Sequence, residues 1–257
     1  MKNLQLVSEH HIIQLAAYAG RIVLTNGGEI YRVEEVVKSV GKKFHLNIDC
    51  FATLTCIIVS GKNTQGEFVS LVKRITSRNT DLDIIHQVNT VMNELENYDF
   101  QSLEKELKRI QSITAYPFKY NLFASALGAA SFIASFNGHA NDFAVAFISG
   151  AVVSIFSYLT SGLKLNIFFT NLIAGAICTL VSCLMFEVGF ITNPSISIIS
   201  TLMLLVPGVA FINSIRDIIA GDLVAGVSRA MEVMVIGAGI AIGAGIVLKL
   251  FLENGGF

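Results

Sequence analysis

Between Leu204 and Glu232 the chain reads LLVPGVAFINSIRDIIAGDLVAGVSRAME, setting Arg216, Asp217, Asp222, Arg229 and Glu232 among small and apolar residues just after a Pro-Gly break. Proline has no backbone N–H and collides with the carbonyl four residues back, so Pro207 with Gly208 interrupts or ends a helix at Val206. Inside a bilayer, backbone freed in this way is tolerated only where protein or a water-filled cavity surrounds it. A helix end in such a cavity presents N–H groups and a positive dipole to an anion. Asn213 and Ser214 add neutral hydrogen-bonding groups, and the fork of Arg229 matches a carboxylate. The chemistry implied is passage of a small carboxylate-bearing solute, with Pro207, Gly208, Asn213, Asp217, Asp222, Arg229 and Glu232 as candidate pathway residues. If the last helix includes Asp222, then Asp222, Arg229 and Glu232 share one face, and ionisable groups at membrane depth suit ion or proton coupling. The competing reading leaves Arg216, Asp217 and Asp222 in a solvated cytoplasmic loop.

Other chemistries find no support. Cys50 and Cys56 flank a strand-like run, and Cys178 and Cys183 sit in an apolar segment without a nearby His, so zinc-ligand spacing is absent and buried free thiols are expected. His10 and His11 are adjacent, so they point to different sides of a helix and cannot share a metal; they, His45 and His86 read as surface or cap residues. There is no Ser-His-Asp set and no phosphate loop, hence no catalytic residue, cofactor or metal is expected. With a net charge of −1 and no basic run, nucleic-acid binding is not expected.

The elements that must position the charged stretch follow from composition. The 257 residues are 53% hydrophobic and 14% charged, with mean hydropathy +0.64, which points to an integral membrane protein. The distribution is uneven: of 18 Lys and Arg, only Lys164, Arg216, Arg229 and Lys249 follow Asn121. Residues 1–119 therefore read as a cytoplasmic α+β domain and 120–257 as a transmembrane domain. In the first part, Ile12, Leu15, Ala16, Ala19 and Val23 have helical spacing with Ser8 as a candidate N-cap, and NGG at Asn26–Gly28 stops that helix. A second helix from Glu29 to Gly41 puts Ile30, Val33, Val37 and Val40 on one face. Phe44, Leu46, Ile48 and Cys50 then alternate with polar residues as a half-buried strand. LTCIIVS is apolar on both faces and reads as the central strand, GKNTQG as a turn, and EFVSLVK as a third strand. Thr80 and Asp83 form a candidate capping box for a helix burying Ile84, Val88 and Leu95, and Leu103, Leu107 and Ile110 mark another. The order is ααβββαα.

Five later stretches are long and apolar enough to approach the roughly 20 residues that a bilayer requires: 120–136, 143–163, 167–186, 196–212 and 223–252. No signal peptide precedes the first domain. With that domain in the cytoplasm, the separators NGHAND and EVGFITNPS, which carry no Lys or Arg, fall outside, Lys164 falls inside, and the C-terminus ends outside. Small residues such as Gly175, Ala176, Gly239 and Gly243 permit close helix contact, either within the bundle or between copies in a homo-oligomer.

RIVLTNGGEIYRVE (Arg21 to Glu34), AYP before the first span, and the order Leu204, Leu205, Val206, Pro207, Gly208, Asn213, Asp217, Gly221, Gly226, Arg229 resemble the signatures of the threonine/serine exporter family. The chain is most similar to its split, five-span type, to which a component of a bacterial succinate exporter belongs. The resemblance covers nearly the whole chain; Arg216, Asp222 and Glu232 are not fixed parts of its pattern. It implies an α-helical inner-membrane exporter of threonine and serine, or of a dicarboxylate such as succinate, driven by the proton gradient and completed by a small four-span membrane protein of the same family. A membrane-anchored enzyme, or a sensor or scaffold acting through the α+β domain, is the alternative class.

Overall fold

The computed structural model describes residues 9–62, 66–113, 116–163 and 165–253. They form two compact units, one of Met1–Thr114 with Val209–Met231 and one of Ala115–Gly208 with Glu232–Phe257. The expected cap Ser8, residues 63–65 of the GKNTQG turn, Ala115 of AYP and Lys164 lie outside the described residues.

In the first unit, α1 (Glu9–Thr25) buries Ile12, Leu15, Ala16, Ala19 and Val23 as their spacing demands. It buries Ile13, Ala17, Ile22 and Leu24 as well, because α2 (Ile30–Lys43), the sheet and two later helices pack around it. Fully burying an Ile or Leu side chain contributes about 1.5–3 kcal/mol, so α1 is the centre of this core. The strands β1 (Ile48–Thr53), β2 (Cys56–Lys62) and β3 (Phe68–Arg74) form an antiparallel sheet in the order β1-β2-β3. LTCIIVS thus supplies the central strand, although its outer face is open, with Ile58 38% exposed. The strand expected from Phe44 begins later. α2 continues through Lys43, and Leu46 N–H donates to Gly41 O across a left-handed His45 (φ 58), so residues 44–47 cap a helix rather than extend. α3 (Leu82–Asn93) and α4 (Phe100–Gln111) follow, separated by a 3-10 turn at Leu95–Asn97. The cap of α3 is Asp81, not Thr80: its carboxylate accepts from the N–H groups of Asp83 and Ile84. The capping box expected there occurs instead at Asp99 and Ser102, which open α4.

The second unit holds α5 (Phe118–Ser131), α6 (Ala140–Thr160), α7 (Ile167–Glu187), α8 (Pro194–Leu205) and the C-terminal part of α10 (Leu223–Glu253). α6, α7 and α10 are long and apolar enough to cross a membrane, and α8 with α9 (Gly208–Ala220), broken at Val206 and Pro207, counts as at most one more. The described residues therefore give three spans, or four, where five were expected. The first expected span is a 14-residue helix continued by a five-residue 3-10 segment. At 1.5 Å per residue the helix itself covers about 21 Å. The fourth splits because Val206 takes the extended backbone (ψ 124) that a residue before proline requires.

No more than a third of each long span is buried, and residues such as Phe123, Ile148, Ile155, Leu180 and Leu184 face outward. So much exposed apolar surface belongs in lipid, not water. Inside the unit, glycine and serine bring helices together. A Cβ on Gly150 would lie 2.9 Å from Ser125 O, one on Gly175 2.5 Å from Ile240 O, and one on Gly239 2.7 Å from Phe168 O. Ser200 donates its hydroxyl to Ala129 O at 2.7 Å. The small residues of α10 are thus used against α7 within the chain.

Candidate functional site

α1 ends in a Schellman motif: Gly28 N–H donates to Val23 O, Gly27 N–H donates to Leu24 O, and Gly27 is left-handed (φ +91). The chain then enters α2 with only Glu29 at the N-cap, and that side chain makes no cap hydrogen bond. The turn Gly27–Ile30 consequently offers bare carbonyls and a bare helix N-terminus, groups that are costly to bury unmatched.

α9 and the start of α10 supply the matches. α9 closes with a second Schellman motif at Gly221 (φ +97), where Asp222 N–H donates to Asp217 O at 2.9 Å. Gly226 then lets α10 return against α9, since a Cβ there would lie 3.0 Å from Ser214 O. This hairpin sets Arg229 beside Asp217, Nε to Oδ2 at 3.4 Å, with the two side chains 7% and 0% exposed. Asp217 Oδ1 accepts from Ile30 N–H at 2.9 Å, capping α2 from 187 residues away. Arg229 Nη2 donates to Gly28 O at 3.0 Å, and Asn213 Nδ2 donates to Gly27 O at 2.9 Å. Arg216 Nη1 donates to Glu29 Oε1 at 2.8 Å, and Arg32 stands 3.6 Å from the other carboxylate oxygen. Desolvation alone would push the Glu29 carboxyl up, but its backbone hydrogen bond and the Arg216 and Arg32 guanidinium groups outweigh that and hold it below the ordinary glutamate range.

Asn213, Asp217 and Arg229, expected together, are together. Ser214, grouped with them, is buried and donates to Phe211 O. Asp222 lies at the hairpin turn before α10, half-buried, at an open cleft of about 450 Å³ lined by Tyr31, Glu34, Lys38 and Lys42. Pro207, Gly208 and Glu232 belong to the second unit. There Gly208 has open space on its Cβ side, and Glu232 is half-buried on α10. Glu29 and the polar backbone of Gly27–Ile30 were not anticipated. The signal that could have found them is a turn with no Ser, Thr, Asn or Asp at the following N-cap.

The faces of α9 are inverted relative to a soluble helix: Asn213, Ser214 and Asp217 are buried, while Phe211, Ile212, Ile215 and Ile219 are exposed, Ile219 by 80%. Among the described residues no group of three or more His, Cys, Asp or Glu could hold a metal. Cys50, Cys56, Cys178 and Cys183 are free. Chemically the arrangement is a polar latch: two acidic and two basic side chains and one amide hold a single turn.

The family model described as "Putative threonine/serine exporter" matches residues 14–251, which include both the Gly27–Ile30 turn and the α9–α10 hairpin. The chain belongs to the threonine/serine exporter family. It is therefore a transporter, not an enzyme. A Klebsiella aerogenes protein named "Probable succinate transporter subunit YjjP" is 24% identical over 220 residues, covering 84% of this chain and 83% of its own. The Escherichia coli K12 protein of the same name is 20% identical, with 88% and 89% covered. A "Probable threonine/serine exporter" of Mycobacterium tuberculosis is 20% identical over 93% of this chain but only 46% of its own length. No solved structure matches the chain. Membership in this exporter family agrees with the outward-facing apolar helices.

Proposed function

We propose that this chain is one subunit of a secondary exporter for small carboxylate-bearing metabolites, of the threonine/serine kind, coupled to protons and completed by a small four-span partner. Five spans are proposed, with α5 and its 3-10 extension as the first, residues 1–119 in the cytoplasm and the C-terminus outside. The observation that carries this reading is the buried Asp217–Arg229 pair within a hairpin whose apolar side faces out. The length of α10 supports a membrane setting for it. Its 31 residues exceed what a bilayer needs, and the part from Glu232 to Glu253 alone reaches about 33 Å.

In the latched state Arg229 is held by Asp217 and Gly28 O. Protonation of Asp217 removes its charge, and the guanidinium can then take the carboxylate of a solute in a fork geometry. Loss of that proton restores the pair and expels the solute. Pro207 and Gly208 supply the break that lets the hairpin move, and Asp222 and Glu232 are secondary acidic positions along the path. Succinate or another dicarboxylate is the second substrate reading, favoured by the names of two relatives that each cover more than four fifths of this chain.

The test is efflux from cells loaded with a threonine or serine dipeptide, or grown to accumulate succinate, with and without this gene and a co-encoded four-span partner. Asp217→Asn should abolish efflux with normal membrane insertion, and Arg229→Lys should weaken substrate affinity. Unchanged efflux of every substrate on deleting the gene would refute the exporter reading. A fully active Asp217→Asn protein would remove Asp217 from the coupling step.

A further inference from the structure

The three-stranded sheet has two edges of unlike character. The β1 edge is met by α2, whose Glu34 Oε1 accepts from Ala52 N–H at 3.1 Å. β3 is the other edge strand, and its outward residues Phe68 and Val72 are 76% and 64% exposed. Its inward residues Val69 and Leu71 pack on the core yet remain half-buried, whereas Ile57 and Val59 on the same face of β2 are fully buried. The register sets Phe51 opposite Ile58 and Ile58 opposite Val72, so an apolar row crosses the outer face and ends at the β3 edge.

The sequence of β3 is complementary to itself. Directly opposed residues in an antiparallel pair share a face, so a two-fold axis between two copies must pass through a residue position. With the axis at Ser70, Phe68 meets Val72 of the second copy on the outer face, Val69 meets its Leu71 on the inner face, and Glu67 meets its Lys73 with opposite charge. An axis at Leu71 instead opposes Val69 to Lys73 and Phe68 to Arg74, and one at Val69 opposes Glu67 to Leu71. We propose that this edge is an interface between two copies of the chain, β3 pairing with β3 about Ser70 to make one six-stranded sheet. An exposed edge with apolar residues on both faces favours strand addition, and opposed apolar and oppositely charged pairs fix its register.

The test uses the full-length chain in native membranes with Cys56→Ser, which removes the thiol on the outer face. Ser70→Cys should form a disulfide-linked dimer under mild oxidation. Val72→Cys should form almost none, because Val72 faces Phe68 of the second copy and so stands four residues, roughly 14 Å, from its own counterpart. Glu67→Lys alone and Lys73→Glu alone should each weaken the dimer about tenfold, and the double swap should restore it, as opposed like and unlike charges require. The proposal is overturned if Ser70→Cys stays monomeric, if Val72→Cys links equally well, or if the double swap fails to rescue. It is also overturned if a bilayer covers the face, which would show as maleimide labelling of Val72→Cys that is slow in membranes and fast in detergent, with no link at position 70.

Discussion

Replacing Asp217 by Asn removes one negative charge and almost no volume. The amide oxygen can still accept from Ile30 N–H, so the α2 cap survives, but Arg229, 6% exposed, loses the carboxylate that faces it at 3.4 Å. Removing one partner of a buried ion pair costs about 3–5 kcal/mol. Because Arg229 keeps its hydrogen bond to Gly28 O, the lower end of that range, about 3 kcal/mol, is expected. For a unit of this size that corresponds to a fall in Tm of roughly 10 °C. Cys50 gives the readout. It is buried in the first unit, and burial pushes its thiol up to about 12, so a thiol-reactive dye labels it only on unfolding. The background is a chain with Cys56, Cys178 and Cys183 replaced by Ser. Arg229→Met tests the other side of the pair, and Asp217→Asn with Arg229→Met completes a cycle. The double variant should be about 2 kcal/mol more stable than the sum of the single losses allows, since neither partner is then left as an isolated buried charge. Additive losses would refute the buried pair as the centre of the latch.

Two further outcomes follow from the same geometry. Glu29 has its carboxyl held below the ordinary value, so the stability it contributes is complete above pH 4.5 and is lost as pH falls through the lower folded-state value; Glu29→Gln should remove that acid-dependent part of the Cys50 labelling profile. Gly243→Val should disrupt α7–α10 packing, because a Cβ at Gly243 would collide with the backbone of Leu172, and detergent-purified protein should lose Cys178 protection while Cys50 protection is kept.

The periodic parts of this fold were legible. Ile12 to Val23, Ile30 to Val40 and Leu103 to Ile110 each bury the face that their spacing predicts, because a repeating apolar stripe has only one way to leave water. Non-periodic features were less so. The strand predicted from Phe44 lost to a left-handed cap at His45, which costs a histidine little and leaves no hydrophobic signal. The broken span was readable from Pro207 because proline acts locally. The charged residues after it were readable as special, but not their partners, since pairing across 187 residues has no local pattern. Nor could the facing of α9 be read: in water its isoleucines would turn inward, and only a surrounding of lipid or protein allows Asn213, Ser214 and Asp217 to occupy the buried side.

On the proposed mechanism the latch also constrains what an exchange cycle can carry. Asp217 and Arg229 cancel, as do Glu29 and Arg216, while Arg32, 3.6 Å from Glu29, leaves the closed junction one positive charge. A solute carboxylate that displaces Asp217 from Arg229 would add one negative charge to a buried site unless Asp217 first takes up a proton. One proton per bound carboxylate leaves the net charge of the site unchanged. A zwitterionic amino acid brings an ammonium group that Glu29 can meet if Arg216, whose side chain is 58% exposed, swings away; a dicarboxylate brings a second negative charge that Arg216 can meet if it releases Glu29. The same pair would then discriminate the two substrate classes in opposite directions. On that mechanism Arg216→Gln should impair dicarboxylate efflux more than threonine efflux, and equal loss of both would show that Arg216 acts only to hold the turn.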